Sequence, residues 1–187
     1  MAAATAGLLA VAAPAGAHTG HPAGGALDGL AHPVLGLDHL LVMVAIGVLA
    51  ALAGSRRLAW RTPLGFVAGM VVGGVAGLAG LAVPGGELLV AATVVAVGLG
   101  IVTVARGEAR WLPVAAGAMG VLHGLAHGGE LPVGATPVAY VAGFVVATAA
   151  LHAAGTGVGL GLRTRATARV ATGALVAGAG LALLLGA

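Results

Sequence analysis

Residues 33–54 read PVLGLDHLLVMVAIGVLAALAG, and only Asp38 and His39 interrupt this apolar run with ionisable side chains. An α-helix needs about 20 apolar residues to cross the hydrocarbon core of a bilayer. Five further apolar segments of similar length follow, approximately at 62–83, 87–105, 111–128, 135–160 and 167–186. The pattern predicts an all-α polytopic membrane protein with six transmembrane helices after an N-terminal signal peptide.

The amino-acid composition also indicates a membrane protein. Of the 187 residues, 60% are hydrophobic and 7% are charged, and the mean hydropathy is +1.12. A soluble domain carries about 25% charged residues. This chain therefore has too few polar side chains to cover a water-facing surface, and we expect the lipid bilayer to surround it.

Missing residue types exclude several functions. The sequence contains no Cys and no Lys. It therefore has no thiolate metal site, and it has no phosphate-binding loop with a Walker A lysine, so its own ATP hydrolysis cannot power transport. The sequence pI of 11.2 arises from a few Arg on short loops. With only 3% aromatic residues, it does not indicate nucleic-acid binding.

The N-terminal region is interpreted as a signal peptide and a lead-in. Residues 6–13 form a short apolar core, and residues 15–17 (Ala-Gly-Ala) fit a cleavage site, although no Arg or Lys precedes the core. We predict a signal peptide over 1–17, a periplasmic lead-in over 18–31 and the six-helix transmembrane domain over 32–187.

Arginine sets the predicted orientation. When the loops are numbered alternately, all eight basic residues fall on the first, third and fifth loops, at Arg56, Arg57, Arg61, Arg106, Arg110, Arg163, Arg165 and Arg169. The positive-inside rule makes that side cytoplasmic. The mature N-terminus then faces the periplasm, as cleavage of a signal peptide also requires.

Glycine recurs at every fourth position of the second apolar segment, at Gly65, Gly69, Gly73 and Gly77. This spacing puts the four residues on one helix face, which is typical of close packing between membrane helices. A Gly-lined conduction path is the alternative interpretation. Such faces also allow a homo-oligomer without demanding one.

The first group of ionisable residues in an apolar segment is His32, Asp38 and His39. Ionisable groups inside a membrane span are costly and mark functional sites by default. Pro33 fits the first turn of a helix, which would place His32 at the helix cap. His39 would then lie two turns deeper on nearly the same face, with Asp38 about 100° round the helix.

The second group is His123, His127 and Glu130. Positions i, i+4 and i+7 fall within about 60° on a helical wheel, so one stripe carries two imidazoles and a carboxylate. Histidines at i and i+4 can present two nitrogens to one metal ion. Both groups fall at the outer ends of their helices, and they can converge if those helices are neighbours.

A converged site would combine three or four imidazoles with two carboxylates. These ligands suit Ni²⁺, Co²⁺, Zn²⁺ or Cu²⁺ better than K⁺ or Mg²⁺, but ligand type alone does not choose among the four metals. The two carboxylates would balance the charge of a divalent ion. The structural alternative is that these residues cap helices or bond neighbouring backbone groups, and two compact groups in a nearly charge-free chain weigh against it.

Three further histidines have two interpretations each. His152 stands alone in the fifth segment, either as a packing hydrogen-bond donor or as an inner transfer ligand. Cleavage after Ala17 would make His18 the new N-terminus, and its amine and imidazole could chelate metal with His21 nearby. The alternative for His18 and His21 is a disordered tail.

Two motifs resemble those of a known family. His-x5-Asp-His at 32–39 and His-Gly-x-Ala-His-Gly-x-Glu at 123–130 are similar to the paired motifs of the HupE/UreJ family, with Leu122 in place of the usual Phe. The resemblance covers the whole chain. It implies a permease of the bacterial inner membrane that imports Ni²⁺ for hydrogenase or urease maturation. It also implies transport roles for His32, Asp38, His39, His123, His127 and Glu130.

Two other functions stay open at this point. An intramembrane metallohydrolase would hold Zn²⁺ on the His and Asp side chains and use Glu130 as base. A non-transporting metal sensor or assembly factor would bind metal without moving it. No obvious oxyanion donor accompanies the motifs, so we expect a permease and not an enzyme, with no prosthetic group.

Overall fold

The computed structural model describes residues 24–104, 109–128 and 136–186, and the regular structure within these ranges is entirely α-helical. The predicted signal peptide lies outside them. The helices are α1 (Ala26–Leu35), α2 (Leu37–Leu52), α3 (Arg56–Leu78), α4 (Gly86–Thr103), α5 (Leu112–Gly128), α6 (Pro137–Leu162) and α7 (Ala166–Gly186).

Four of these helices, α3, α4, α6 and α7, are long and apolar enough to cross a membrane. Helices α1 and α2 together form a fifth apolar unit that is bent by 83° at their junction. Helix α5 is shorter, with 17 residues. The chain is therefore a multi-pass α-helical membrane protein.

The first predicted span is wrong as a single straight helix. The chain breaks at Gly36, whose backbone is extended (φ −80°, ψ 114°). Pro33 lies inside α1 and His32 in its last turn, instead of at the start of a helix. Glycine is a poor helix former, and Asp38 favours a new helix start because its carboxylate accepts the His39 backbone N–H at 2.8 Å.

Helix α1 begins earlier than the sequence indicates, inside the segment assigned to the lead-in. The carboxylate of Asp28 accepts the backbone N–H groups of Gly24 and Gly25, at 2.8 and 3.1 Å. These bonds satisfy donors at the helix start, where no intrahelical acceptor exists. The helix then packs against α6, because Gly29 allows close approach to the Tyr140 carbonyl.

The second predicted span, 62–83, is displaced from the helix that forms. Helix α3 begins at Arg56 and ends at Leu78. Arginine is compatible with a helix at the membrane interface because its long stem can lie along the helix while the guanidinium reaches water. The ends of the last four predicted segments agree with α4 to α7 within two residues.

The glycine face of α3 packs against α5. A Cβ atom built on Gly65, Gly69 or Gly73 would overlap a backbone carbonyl of α5, at Pro113, Gly117 and Val121 respectively. Because both sets of numbers increase together, the two helices run parallel. The prediction that these glycines serve helix packing is confirmed.

The described arginines lie at one end of the bundle. Helices α3 and α5 are parallel, so Arg56 and Arg110, which lie at their starts, share that end. The guanidinium of Arg163 donates to the carbonyl of Ala51 near the end of α2, at 2.8 and 3.0 Å. We call this the Arg end, and its described members are Arg56, Arg57, Arg61, Arg110, Arg163, Arg165 and Arg169.

Candidate metal site

Three imidazoles from three helices converge at the end of the bundle opposite the Arg end. They belong to His32 of α1, His39 of α2 and His127 of α5, and one ring nitrogen from each lies within 4.8 Å of the other two. Nε2 of His39 faces Nε2 of His127 within hydrogen-bond reach. We call this group the three-histidine cluster, and its nitrogens are close enough together that they could hold one small ion.

The break at Gly36 builds the cluster. The 83° bend between α1 and α2 brings the last turn of α1 over the first turn of α2, so the rings of His32 and His39 lie 5.6 Å apart. On one straight helix these residues would be separated by about 10 Å along the axis. The predicted proximity of the two histidines is therefore reached by a different backbone path.

Asp38 contacts His39 from behind. Its Oδ1 lies 2.6 Å from Nδ1 of His39, which points Nε2 of that ring into the cluster. A carboxylate behind a histidine fixes the tautomer and the ring orientation and raises the basicity of the ligating nitrogen. His39 is buried, with 3% of its surface exposed, so its ring is held in place on all sides.

Two aromatic residues of α6 also contact the cluster. The hydroxyl oxygen of Tyr140 lies 2.9 Å from Nδ1 of His32 and supports the orientation of that ring. The Phe144 ring packs 5.4 Å from that of His32 and 6.4 Å from that of His39. Sequence reasoning missed both residues. The sequence signal that could have indicated them is the rarity of these residue types, because the chain has one Tyr and two Phe.

His123 lies one turn deeper on α5 than His127 and is fully buried. Its Nδ1 donates to the Met119 carbonyl at 3.0 Å, and within the described ranges its Nε2 has no hydrogen-bond partner. Its ring centroid is 5.4 Å from that of His39. The structure thus places His123 directly below the three-histidine cluster.

His152 of α6 shares a contact with His123 through the side chain of Phe66. The Phe66 ring centroid is 5.2 Å from that of His123 and 5.3 Å from that of His152. Nδ1 of His152 donates to the Met43 carbonyl at 2.6 Å. His152 therefore makes the packing hydrogen bond that the sequence allowed, while its other nitrogen stays available for a second role.

The remaining predicted site residues, His18, His21 and Glu130, lie outside the described residues. Between α3, α5 and α6 a cleft of about 90 Å³ reaches His123 and His127 from the side. Its other lining residues are almost all apolar, among them Met70, Val75, Tyr140 and Phe144.

Comparison with known proteins identifies the family. The model of the family described as HupE / UreJ protein matches residues 6–183. The chain belongs to the HupE/UreJ family. It is 42% identical over 181 residues to Protein HupE of Rhizobium leguminosarum bv. viciae, an alignment that covers 95% of this chain and 94% of the relative. No solved structure matches the chain.

Proposed function

We propose that this member of the HupE/UreJ family is a permease that imports a divalent transition metal, with Ni²⁺ as the first substrate to test. The observation that carries the proposal is the convergence of ring nitrogens of His32, His39 and His127 within 4.8 Å in a bundle whose interior is mostly apolar. Imidazole nitrogen suits borderline ions such as Ni²⁺, Co²⁺, Zn²⁺ and Cu²⁺. The family and the HupE relative favour a role in hydrogenase or urease maturation.

Each site residue receives a role from its position. His32, His39 and His127 would capture the ion, and His123 would take it one turn deeper. Asp38 would orient His39 and offset part of the positive charge through the imidazole. Glu130, which follows His127 by three residues, would supply the second carboxylate, and His18 and His21 would collect metal outside the bilayer.

The proposed direction of transport follows from the arginines. The Arg end would face the cytoplasm under the positive-inside rule, so the three-histidine cluster would face the periplasm. We accordingly propose six spans in the inner membrane, with the N-terminus periplasmic after removal of a signal peptide. The first of those spans would be the bent pair α1 and α2.

A metallohydrolase is the second candidate, because three histidines with an open position also form catalytic zinc sites. The two functions differ in how they hold metal. A hydrolase would retain one zinc ion per chain through purification, whereas a permease would bind exchangeable metal and release it. Metal analysis of the purified protein distinguishes them.

Uptake of radioactive nickel tests the proposal in cells that lack their own nickel transporters. We expect wild-type chain to raise uptake above background, and His39→Ala and His123→Ala to abolish the increase at equal membrane abundance. Thr93→Val is a matched control, since Thr93 is buried and its hydroxyl bonds to its own helix at the Val90 carbonyl. Wild-type cells at background with nickel, cobalt and zinc would reject metal import.

A further inference from the structure

The bundle interior contains polar atoms that no described protein group satisfies. Four such buried atoms are Oγ1 of Thr62, Nε2 of His123, Oγ1 of Thr148 and Nε2 of His152. A fifth, Nε of Arg169, belongs to the Arg end. A buried polar group without a partner destabilises a fold, so each of the four interior atoms calls for an explanation.

The two threonines differ from other helical threonines of the chain. The hydroxyls of Thr93, Thr103, Thr156 and Thr172 each donate to a backbone carbonyl three or four residues earlier. This back-bonding is the usual solution for Thr in a helix that lies in a membrane. Thr62 and Thr148 are almost completely buried, with 1% and 0% exposure, yet neither hydroxyl has such a bond.

Three of the four interior atoms lie on α3 and α6, and the fourth, Nε2 of His123, lies on α5. Thr148 and His152 are four residues apart on α6, and Thr62 and Phe66 are four residues apart on α3, so each pair shares one helix face. The Phe66 and His152 rings are in contact, which joins the two faces. Thr62 is six residues into α3, or about 9 Å from its start at the Arg end.

We propose that Thr148 Oγ1 and His152 Nε2 form an inner ion-binding station, about one and two turns deeper on α6 than Phe144, which contacts the three-histidine cluster, with Thr62 nearer the Arg end. The proposal rests on the permease function. Its ligands are one imidazole nitrogen and hydroxyl oxygens, all neutral, and they suit a partly hydrated divalent cation. A weak site is what transport requires at this point, because an ion must leave as well as enter.

The test compares two valine substitutions on the same helix. In proteoliposomes holding the full chain, Thr148→Val should lower nickel uptake by about tenfold or more, the scale of losing a polar group at a metal site. Thr156→Val is the matched control, since Thr156 lies one turn beyond His152 and its hydroxyl is bonded to the His152 carbonyl at 2.9 Å. We expect this variant to transport nickel at the wild-type rate.

Thermal unfolding separates a transport role from a structural one. Thr148→Val removes an unsatisfied buried hydroxyl, so its melting temperature should equal or exceed that of wild type while its uptake falls. Nickel binding that depends on His39 should keep its Kd within about twofold, because sites without shared partners behave additively.

Three results would overturn the inner station. Thr148→Val could transport at the wild-type rate, or it could lose uptake together with a lower melting temperature. Alternatively, both valine variants could lose uptake equally. Absence of uptake by wild type would remove the permease function and the station together, whereas uptake that His39→Ala abolishes and Thr148→Val does not would remove the station alone.

Discussion

The two ends of the proposed ion path are built differently. At the three-histidine cluster, ring nitrogens from three helices converge, and His39 and His32 are each held from behind, by Asp38 and by Tyr140. Around His152, by contrast, one imidazole is fixed by the Met43 carbonyl, and the hydroxyl of Thr148, four residues earlier on the same helix face, has no partner among the described residues. The first arrangement suits capture of a dilute ion, and the second suits its release.

From this difference we expect supporting contacts, as well as the ligands themselves, to determine metal affinity. An imidazole whose second nitrogen is bonded to a carboxylate is a stronger and better oriented ligand than one bonded to a backbone carbonyl. Weakening the supports of the three-histidine cluster should therefore make it resemble the region around His152. Three substitutions test this comparison, each at a different distance from the metal position.

Asp38→Asn should have the largest effect of the three. It removes the negative charge behind His39 while keeping a side chain of the same shape, so we expect nickel affinity to fall by about 10- to 100-fold, the range for losing such a support. Isothermal titration of the purified protein with Ni²⁺ measures the change in Kd, and uptake should fall in parallel.

Asp28→Asn is the matched control for the loss of a carboxylate. Asp28 lies on α1, and its oxygen accepts backbone N–H groups of Gly24 and Gly25, which an Asn oxygen can also do. Nickel affinity of this variant should stay within about twofold of wild type, since Asp28 is at position N3 of α1, where an amide oxygen can accept the same backbone N–H groups as a carboxylate. Equal affinities for Asp38→Asn and Asp28→Asn would contradict a special role for Asp38.

The sequence predicted the fold class well because membrane helices leave a strong signal. Continuous apolar segments flanked by Arg located α4 to α7 within two residues. The break at Gly36 was missed because apolarity continues through it, and hydropathy cannot distinguish a straight helix from a bent one. The predicted start of α3 is too late because Arg56, Arg57 and Arg61 indicate a loop by their charge, although arginine is a good helix former.

Three of the predicted metal ligands lie together in the structure, and their role in binding metal stays a prediction. Compact spacing identified His32, His39 and His127, which the structure brings together. The roles of Tyr140 and Phe66 could not be predicted, because each contacts the histidines from a helix distant in sequence. Whether Thr62 and Thr148 bond to their own helices is likewise decided by the packing around each hydroxyl and not by residue type.

Tyr140→Phe should have an intermediate effect. It removes the hydroxyl beside Nδ1 of His32 and keeps the ring, so packing against Phe144 is retained. We expect nickel affinity to fall by about tenfold, the lower end for losing a hydrogen-bonding support of a ligand. The absorption spectrum of bound Co²⁺, which reports the ligand geometry, should shift as the His32 ring loses its fixed orientation.

A double-mutant cycle shows whether Tyr140 acts through His32. In a His32→Ala background, Tyr140→Phe should change nickel affinity no further, because the hydroxyl then has no imidazole to hold. A tenfold loss in both backgrounds would mean that Tyr140 affects the site by another route. In that case the hydrogen bond from Tyr140 to His32 would not explain the difference between the two ends of the path.

Gly36→Ala should have the smallest effect, and it tests the backbone that brings the histidines together. The backbone angles of Gly36 are open to alanine, but a Cβ there would lie 3.0 Å from Nδ1 of His39 and 3.2 Å from Oδ1 of Asp38. The Asp38–His39 pair would have to shift by a few tenths of an ångström. We expect nickel affinity to fall by about fivefold, equivalent to ~1 kcal/mol.

Gly157→Ala is the control, because a Cβ on Gly157 meets no atom within 4 Å. If titration gives both alanine variants the wild-type Kd, the pair tolerates displacement, and the affinity of the cluster depends on its ligands more than on how tightly they are held.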